Sequence, residues 1–391
     1  MESGSTPARN PGIDVLRGIA IVLVVLSHLG LKSRMPLART PLGALLPGPV
    51  IEVLTQSGHG AVFMFFVISG FLITTHSLRR WRSLERISLR GFYARRFARI
   101  VPLLAVLLVV LAALDLLGVS GYVIHRPGQS LSGAVWSAVT LRLNWYEGHT
   151  GYLPANWDVL WSLSIEEAFY LGFPLVCLLT RRRAVLVPLL VALGLSLPVA
   201  QDAVANNSIW MHKAYVPGMS AIALGVLGVL IGARWRAPPR WLVAAMAALG
   251  TAGIAAMLGA DMPLYRIFGD GGELLVLSAS SLLLVLAFHW DNLRVPNRSF
   301  RGSGWLRFFG RNSYEIYLTH MFVVLTAVVL FRAWGSPWRF ADLWYVVTLG
   351  LCALLGAMVT RYLTGPSDRA LRRLLLSVRH LQVTERSLSL D

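Results

Sequence analysis

Long apolar runs separated by short polar stretches recur along the whole chain. A helix that crosses a bilayer needs about 20 mostly apolar residues, and ten runs approach that length. They cover residues 13–31, 58–78, 99–119, 157–179, 184–200, 214–233, 241–259, 273–289, 312–331 and 341–362. The fifth run is short and the eighth has a polar start, so these two are the least typical. The pattern predicts an all-α, polytopic membrane protein with ten transmembrane helices.

The composition agrees with this prediction. Charged residues make up 14% of the 391 residues and hydrophobic residues 55%, whereas a soluble globular protein has about 25% charged residues. We therefore expect one membrane domain over residues 1–391. Its transmembrane core would cover about 10–365, and residues 366–391 would form a basic cytoplasmic tail.

The basic residues predict the orientation of the helices. The chain carries a net charge of +17, and about three quarters of its 36 lysines and arginines lie in the termini and in every second loop. Cytoplasmic loops of membrane proteins are enriched in lysine and arginine. Both termini are therefore predicted to be cytoplasmic, and topology accounts for the positive charge without a nucleic-acid partner.

The two cysteines indicate neither a disulfide framework nor a metal site. Cys177 and Cys352 both lie inside apolar runs, where single cysteines act as small apolar side chains. We expect no bound metal.

The first apolar run keeps three ionisable residues, Asp14, Arg17 and His28. Ionisable groups inside a membrane are costly and usually face a protein interior or a cavity. Arg17 and His28 are three helical turns apart, so both project from one face, separated by about 16 Å along the axis. Asp14 lies one turn before Arg17 and is placed to pair with it. An interfacial ion pair at Asp14 and Arg17 and a buried structural histidine at position 28 are the alternatives.

Two further polar groups interrupt apolar sequence. Glu166 and Glu167 are adjacent in the fourth run, so at most one of them can share a cavity directly with His28. Arg95, Arg96 and Arg99 lie at the cytoplasmic end of the third run. Guanidinium groups bind phosphate oxygens bidentately, so the three arginines can form a polyphosphate site. The alternative is positive-inside topology with anionic lipid contact.

Weaker candidates lie in the second and ninth runs. Ser69 belongs to a stretch of small residues for which helix packing is the default explanation. Tyr317 and His320 share a helix face in the ninth run, and Tyr314 lies one turn before Tyr317.

Five stretches together resemble the integral-membrane acyltransferase 3 family. They occur in the family's order and cover nearly the whole chain: "DVLRGIAIVLVVLSH", "GAVFMFFVISGFL", "RRFARIVP", "WSLSIEEAFYLGFP" and "NSYEIYLTH". The resemblance implies transfer of an acyl group, often acetyl, from cytoplasmic acyl-CoA to a hydroxyl. The implied acceptor is a carbohydrate of the bacterial cell envelope or a glycosylated natural product such as a macrolide antibiotic.

The resemblance also implies roles for the candidate residues. Arg96 and Arg99, with Arg95 and Arg17, would hold the CoA phosphates at the inner mouth. His28 would be the general base, and a glutamate, Glu166 or its neighbour Glu167, would orient it; an acyl-histidine intermediate is the less favoured route. Donors to the oxyanion or contacts to the substrate would come from Ser69, Tyr314, Tyr317 or His320.

Two other classes of protein share some of these features. A transporter or flippase of a glycan or lipid-linked substrate would also have many spans with buried charges, more often with broken helices and related halves. A small-ligand receptor would need no acyl donor. A transporter or a receptor would, like the acyltransferase, be a multi-pass protein of the cell membrane in contact with membrane lipids.

Overall fold

The fold is known from a computed structural model that describes residues 9–31, 34–235, 238–259 and 263–387. Every regular element in these ranges is helical. The α-helices are α1 Pro11–Gly30, α2 Gly48–Gln56, α3 Gly58–Trp81, α4 Leu89–Leu116, α5 Leu131–Val139, α6 Leu143–Thr150, α7 Ala155–Thr180, α8 Arg183–Leu195, α9 Leu197–Asp202, α10 Ser208–Lys213, α11 Tyr215–Arg234, α12 Arg240–Gly259, α13 Pro263–Arg294, α14 Gly304–Arg311, α15 Ser313–Ala333, α16 Ala341–Val359 and α17 Gly365–Ser387, with a π-helical turn at Thr360–Thr364.

Nine helical stretches of the described chain are long and apolar enough to cross a membrane. They coincide with nine of the ten predicted runs, which confirms an all-α polytopic membrane protein. They are Pro11–Gly30, Gly58–Trp81, Leu89–Leu116, Ala155–Thr180, Ser208–Arg234, Arg240–Leu258, Gly271–Arg294, Ser313–Ala333 and Trp338–Leu376. We call the end near Arg17 the inner end and the end near His28 the outer end.

The structure differs from the prediction at the fifth run, which forms two helices instead of one. α8 ends at Leu195 and α9 begins at Leu197, next to Pro198. Proline lacks the N–H that would continue the hydrogen-bond ladder of α8, so a break here is expected.

The two short helices together still reach from one end of the bundle to the other. The Arg183 guanidinium at the start of α8 lies 3.8 Å from the carboxylate of Glu85, in the inner loop after α3. At the far end, Gln201 donates a 2.6 Å hydrogen bond to the carbonyl of Met211, before the outer end of α11. This placement is consistent with a tenth, interrupted crossing. The count of ten and the cytoplasmic termini stay predictions.

Helix α1 is packed on most sides, and its inner half lies directly on α14. A Cβ atom added at Gly310 would be 1.8 Å from the backbone oxygen of Asp14, and one at Gly18 would be 2.0 Å from that of Leu306. Only glycine permits these backbones to approach so closely. The inner half of α1 is therefore fixed against α14.

The predicted tail begins as a helix that packs on the bundle. Arg90 of α4 donates a 3.3 Å hydrogen bond to the carbonyl of Leu375 in α17, and Arg372 pairs with Asp368 at 2.7 Å within α17. The start of the tail therefore lies beside the inner end of α4. Residues 388–391 of the predicted tail lie outside the described residues.

Candidate active site

One face of α15 carries a line of polar side chains that meets two other helices. Ser313 accepts a 2.8 Å hydrogen bond from the Arg17 guanidinium of α1. One turn on, the hydroxyl of Tyr317 accepts a 2.8 Å bond from Ser162 of α7. The ring of His320 follows, with its centroid 5.1 Å from that of His28 on α1. Arg17 and His28 thus face the same neighbour, Arg17 at the inner end of α15 and His28 about two turns further along it.

The expected ion pair between Asp14 and Arg17 is replaced by other contacts. Asp14 lies 3.5 Å from the Arg9 guanidinium, while Arg17 donates to Ser313. The long arginine side chain extends along α1 toward α15, so sequence spacing alone did not identify its partner.

His28 lies close to a second histidine, and the structure does not bring Glu166 to it. The charged groups of the described chain that act on His28 are the cations Arg34 and Lys213. Arg34 also donates a 2.6 Å hydrogen bond to the backbone carbonyl of His28. The carboxylate expected to orient the imidazole is therefore directed elsewhere.

Both adjacent glutamates belong to the inner end of the site. Glu167 forms an ion pair with Arg96, and Glu166 interacts with Arg96 and Ser69. The Arg96 guanidinium also lies 4.3 Å from the ring centroid of Tyr170. These contacts tie α4 to α7, which explains why two glutamates are tolerated in an apolar run.

Arg99 makes a matching connection from α4 to α15. It lies 3.1 Å from the carboxylate of Glu315, which is fully buried, and 4.9 Å from the ring centroid of Tyr314. The same carboxylate accepts a 2.8 Å hydrogen bond from Thr364 in the π-helical turn. We refer to Arg96, Arg99, Glu166, Glu167 and Glu315 as the inner cluster.

The three arginines predicted to bind polyphosphate therefore do not act as one set. Arg96 and Arg99 are each held by a carboxylate, whereas the charges that act on Arg95 are those of Arg80, Arg372 and Asp368. We call Arg80, Arg95 and Arg372 the basic patch. It lies where the inner ends of α3 and α4 meet α17, and its positive charges outnumber its one acidic neighbour.

The candidate hydroxyl donors separate in the same way. Ser69 accepts a 2.8 Å hydrogen bond from Tyr170, and Tyr314 lies on Arg99, so both belong with the inner cluster. Tyr317 and His320 lie beside the histidine, with ring centroids 6.0 Å apart. Of the predicted donors, these two are the ones placed near His28.

Helix α7 carries a row of polar side chains that was not predicted from the sequence. Asp158, Ser162, Glu166 and Tyr170 recur every fourth residue and therefore lie along one helix face. The row reaches Lys213 at its outer end, Tyr317 in the middle and Ser69 at its inner end. The four-residue spacing is visible in "WDVLWSLSIEEAFY" and was the sequence signal that indicates this row.

A buried lysine at the outer end was also missed. Lys213 is 4% exposed and forms ion pairs with Glu147, at 2.6 Å, and with Asp158. Burial, strengthened by the nearby Asp158 carboxylate, raises the pKa of Glu147 above its ordinary value. The three residues come from α6, α7 and α10, and no sequence spacing connects them. They hold the outer loop against the bundle.

No group of three or more potential metal ligands occurs in the described ranges. Cys177 and Cys352 are both buried thiols without a disulfide.

Comparison with known proteins gives related sequences and no related structure. O-acetyltransferase OatA of Staphylococcus aureus is 24% identical over 400 residues, covering 94% of this chain and 58% of its own length. Peptidoglycan O-acetyltransferase OatA of Listeria monocytogenes is 26% identical over 361 residues, covering 84% of this chain and 52% of its own length. The chain thus spans a little more than half the length of these curated relatives. No solved structure matches.

The family comparison covers almost the whole membrane part of the molecule. Residues 10–362 match the family described as "Acyltransferase domain", acyltransferase 3. This range includes the Arg17–His28 helix, the inner cluster and the polar face of α15. The chain belongs to the acyltransferase 3 family of membrane acyltransferases.

Proposed function

We propose that the protein is an O-acyltransferase that moves an acetyl or other short acyl group from cytoplasmic acyl-CoA to a hydroxyl of a carbohydrate acceptor. The observation that carries the proposal is the course of α1 along α15. This helix connects a cationic inner mouth at Arg17 with an imidazole at His28, about 16 Å further out, in a chain of an acyltransferase family. An acyl donor anchored at the inner end and an acceptor from outside would meet at His28.

The names of the relatives favour a glycan as the acceptor. Both are O-acetyltransferases, and one is described as acting on peptidoglycan. The acceptor that we propose first is therefore a glycan of the bacterial cell envelope, modified by an enzyme in the cell membrane. A glycosylated natural product such as a macrolide is the second candidate acceptor. Both classes offer the sugar hydroxyl that the chemistry needs.

The basic patch is the proposed binding site of the CoA phosphates. Arg80, Arg95 and Arg372 present an excess of positive charge at the inner surface, and guanidinium groups bind phosphate oxygens strongly. Arg96 and Arg99 are already neutralised by Glu167 and Glu315. In this proposal Arg96, Arg99 and Arg17 line the inner mouth of the site, and the basic patch supplies most of the attraction for the CoA phosphates.

The proposed chemical step is direct transfer with His28 as the general base. The acceptor oxygen attacks the thioester carbon as its proton moves to the His28 imidazole. The carbon–sulfur bond then breaks, and the leaving thiolate takes that proton. The hydroxyl of Tyr317 accepts from Ser162 and retains its own proton, so it is the proposed donor to the carbonyl oxygen as negative charge develops there.

The test is acetyl transfer by the purified protein in proteoliposomes, with radiolabelled acetyl-CoA inside and penta-N-acetylchitopentaose outside. His28→Ala is expected to lower the rate by about 100-fold or more, the contribution of a positioned general base. His125→Ala, at an exposed histidine of the outer loop, is the matched control and should transfer normally. Unchanged turnover by His28→Ala would remove the proposed base, and the absence of transfer by the unsubstituted protein would overturn the proposed reaction.

A transporter of a glycan or lipid-linked substrate is the second candidate. The interrupted α8–α9 pair favours it, because broken helices are common in transporters. A transporter would move the unmodified glycan across the proteoliposome membrane without releasing CoA. Measuring CoA release and glycan position in the same vesicles separates the two functions.

A further inference from the structure

His320 is buried, and one of its ring nitrogens is already engaged. The residue has no exposed surface, and its Nδ1 lies 2.7 Å from the backbone carbonyl of Tyr317. A carbonyl oxygen only accepts hydrogen bonds, so Nδ1 must carry the proton and donate. In the neutral ring the other nitrogen, Nε2, then has no proton and only accepts.

That accepting nitrogen has no hydrogen-bond partner in the described part of the chain. Leaving a buried acceptor unpaired is costly, so such an atom usually marks a place where another group donates. Of the two aromatic rings in contact with His320, that of His28 is the nearer, with its centroid 5.1 Å away. An in-line N–H···N bond between two imidazoles needs about this separation, because the hydrogen bond itself spans about 3 Å and each nitrogen lies about 1 Å from its ring centre.

We infer that His320 is a positioning residue for His28: in the reacting complex, where catalytic hydrogen bonds tighten, its Nε2 accepts the N–H of His28 and thereby fixes which nitrogen of His28 is free to act as the base. The inference rests on the proposed acyl transfer. It assigns to a neutral imidazole the orienting role that a carboxylate has in many catalytic triads. Glu166 is committed to Arg96 and Ser69, so it does not compete for this role.

The proton between the two rings stays on His28 throughout. The acceptor hydroxyl gives its proton to the free nitrogen of His28, the new oxygen–carbon bond forms and the carbon–sulfur bond breaks. His28 then returns that same proton to the thiolate. His320 keeps the proton on its Nδ1, which donates to the Tyr317 carbonyl. The lone pair of its Nε2 stabilises the transient imidazolium of His28. No proton is left over and no further reactant is needed.

Two amide substitutions separate positioning from simple support of the fold. The amide of glutamine occupies roughly the place of Nε2, and that of asparagine the place of Nδ1. His320→Gln keeps an acceptor toward His28 and loses the bond to Tyr317, whereas His320→Asn keeps that bond and loses the acceptor. A purely structural histidine predicts that Asn is tolerated better, and the inference predicts that Gln is.

The experiment measures acetyl-CoA-dependent transfer to penta-N-acetylchitopentaose in proteoliposomes for the unsubstituted protein and the two variants. His320→Gln is expected to retain activity within about tenfold, and His320→Asn to lose about 100-fold in kcat with an unchanged KM for acetyl-CoA. Thermal unfolding in detergent reports the fold of each variant, and the order of the two kcat values remains informative even when both are less stable.

The outcomes of this experiment are distinct from those for the proposed function. Transfer by the unsubstituted protein with Asn more active than Gln would overturn the role of His320 and leave the acyltransferase proposal standing. Equal kcat values for both variants and the unsubstituted protein would do the same. No transfer by the unsubstituted protein would overturn the proposed function, and this inference with it.

Discussion

Arg96 and Arg99 of the inner cluster each pair with a carboxylate. His320, about 8 Å further along α15, and the neighbouring His28 of α1 contact each other and pair with no carboxylate in the described part of the chain. The inner cluster joins α4 to α7 and to α15 through charged pairs. The histidine pair, His28 and His320, joins α1 to α15 through two adjoining imidazole rings, and Nε2 of His320 has no hydrogen-bond partner among the described residues.

This difference separates groups that hold the bundle together from groups that are left available. Charges inside a membrane protein are costly unless paired, and removing one member of a buried pair is strongly destabilising. In the inner cluster both guanidinium groups are held in ion pairs with carboxylates of the protein. The histidine pair keeps bonding capacity unused, which is what a base and its positioning residue require. Substitutions in the two regions should therefore affect different properties.

The largest effect is expected when the inner cluster loses its shared cation. Arg96→Leu leaves Glu166 and Glu167 without their positive partner, and we expect a loss of about 3–5 kcal/mol in the free energy of unfolding. Thermal unfolding and yield in detergent measure the loss, and Arg240→Leu, at an exposed arginine of the inner surface, is the matched control. An Arg96→Leu protein as stable as the control would end the distinction drawn between the two regions.

A slightly smaller loss is expected at the outer lysine. Lys213→Met leaves the carboxylates of Glu147 and Asp158 without their cation and should cost about 3 kcal/mol. The added substitution Glu147→Gln removes one of these charges and should restore part of the stability. If the double variant unfolds below the single one, the ion pairs are not the source of the loss. This experiment shows whether the outer end also contains a stabilising cluster, close to the histidine pair.

A change in binding without a change in stability is expected at the basic patch. Arg80→Gln combined with Arg95→Gln should raise the KM for acetyl-CoA by about 100-fold or more, since charge-assisted hydrogen bonds contribute about 1.5–3 kcal/mol each and 1.4 kcal/mol corresponds to a factor of ten. The melting temperature and kcat should stay close to those of the unsubstituted protein. An unchanged KM would move the phosphate site away from the patch and back toward Arg96 and Arg99.

The smallest effect is expected at the inner rim of α1. The Asp14 side chain is 9% exposed, but its partner Arg9 is 60% exposed, so water screens the pair, and screened pairs contribute about 0–1 kcal/mol. Asp14→Asn should therefore lower the melting temperature only slightly and leave transfer unchanged. A large loss of transfer would show that the charge of Asp14, which interacts with that of Arg17, is needed for the reaction.

The sequence was sufficient for the helices and for the face of α1. Apolar runs of bilayer length located nine spans, and the helical period placed Arg17 and His28 on one side. Both follow from local geometry, which depends only on residues close together in the chain. The break after Leu195 was missed because a short apolar run containing prolines is compatible with either one helix or two.

The partners of the polar residues were not predictable in the same way. Glu167 meets Arg96 across 71 positions of sequence, and Lys213 meets Glu147 across 66. A helical period tells which residues share a face but not which helix covers that face. The role of Glu166 or Glu167 beside His28 was implied by the family resemblance and not by a partner read from the sequence, and the contact between His28 and His320 was not anticipated.

The close backbone contacts of Gly18 and Gly310 have a consequence for donor choice. Helix α14 packs directly on the inner half of α1, and the helical rise sets the separation of Arg17 and His28 at about 16 Å. In the proposed reaction the flexible arm of the coenzyme has to span this separation. A donor with a shortened arm, such as an acetylated cysteamine without its nucleotide, would lose the anchor that sets the distance, and its carbonyl would reach the imidazole only by chance encounter.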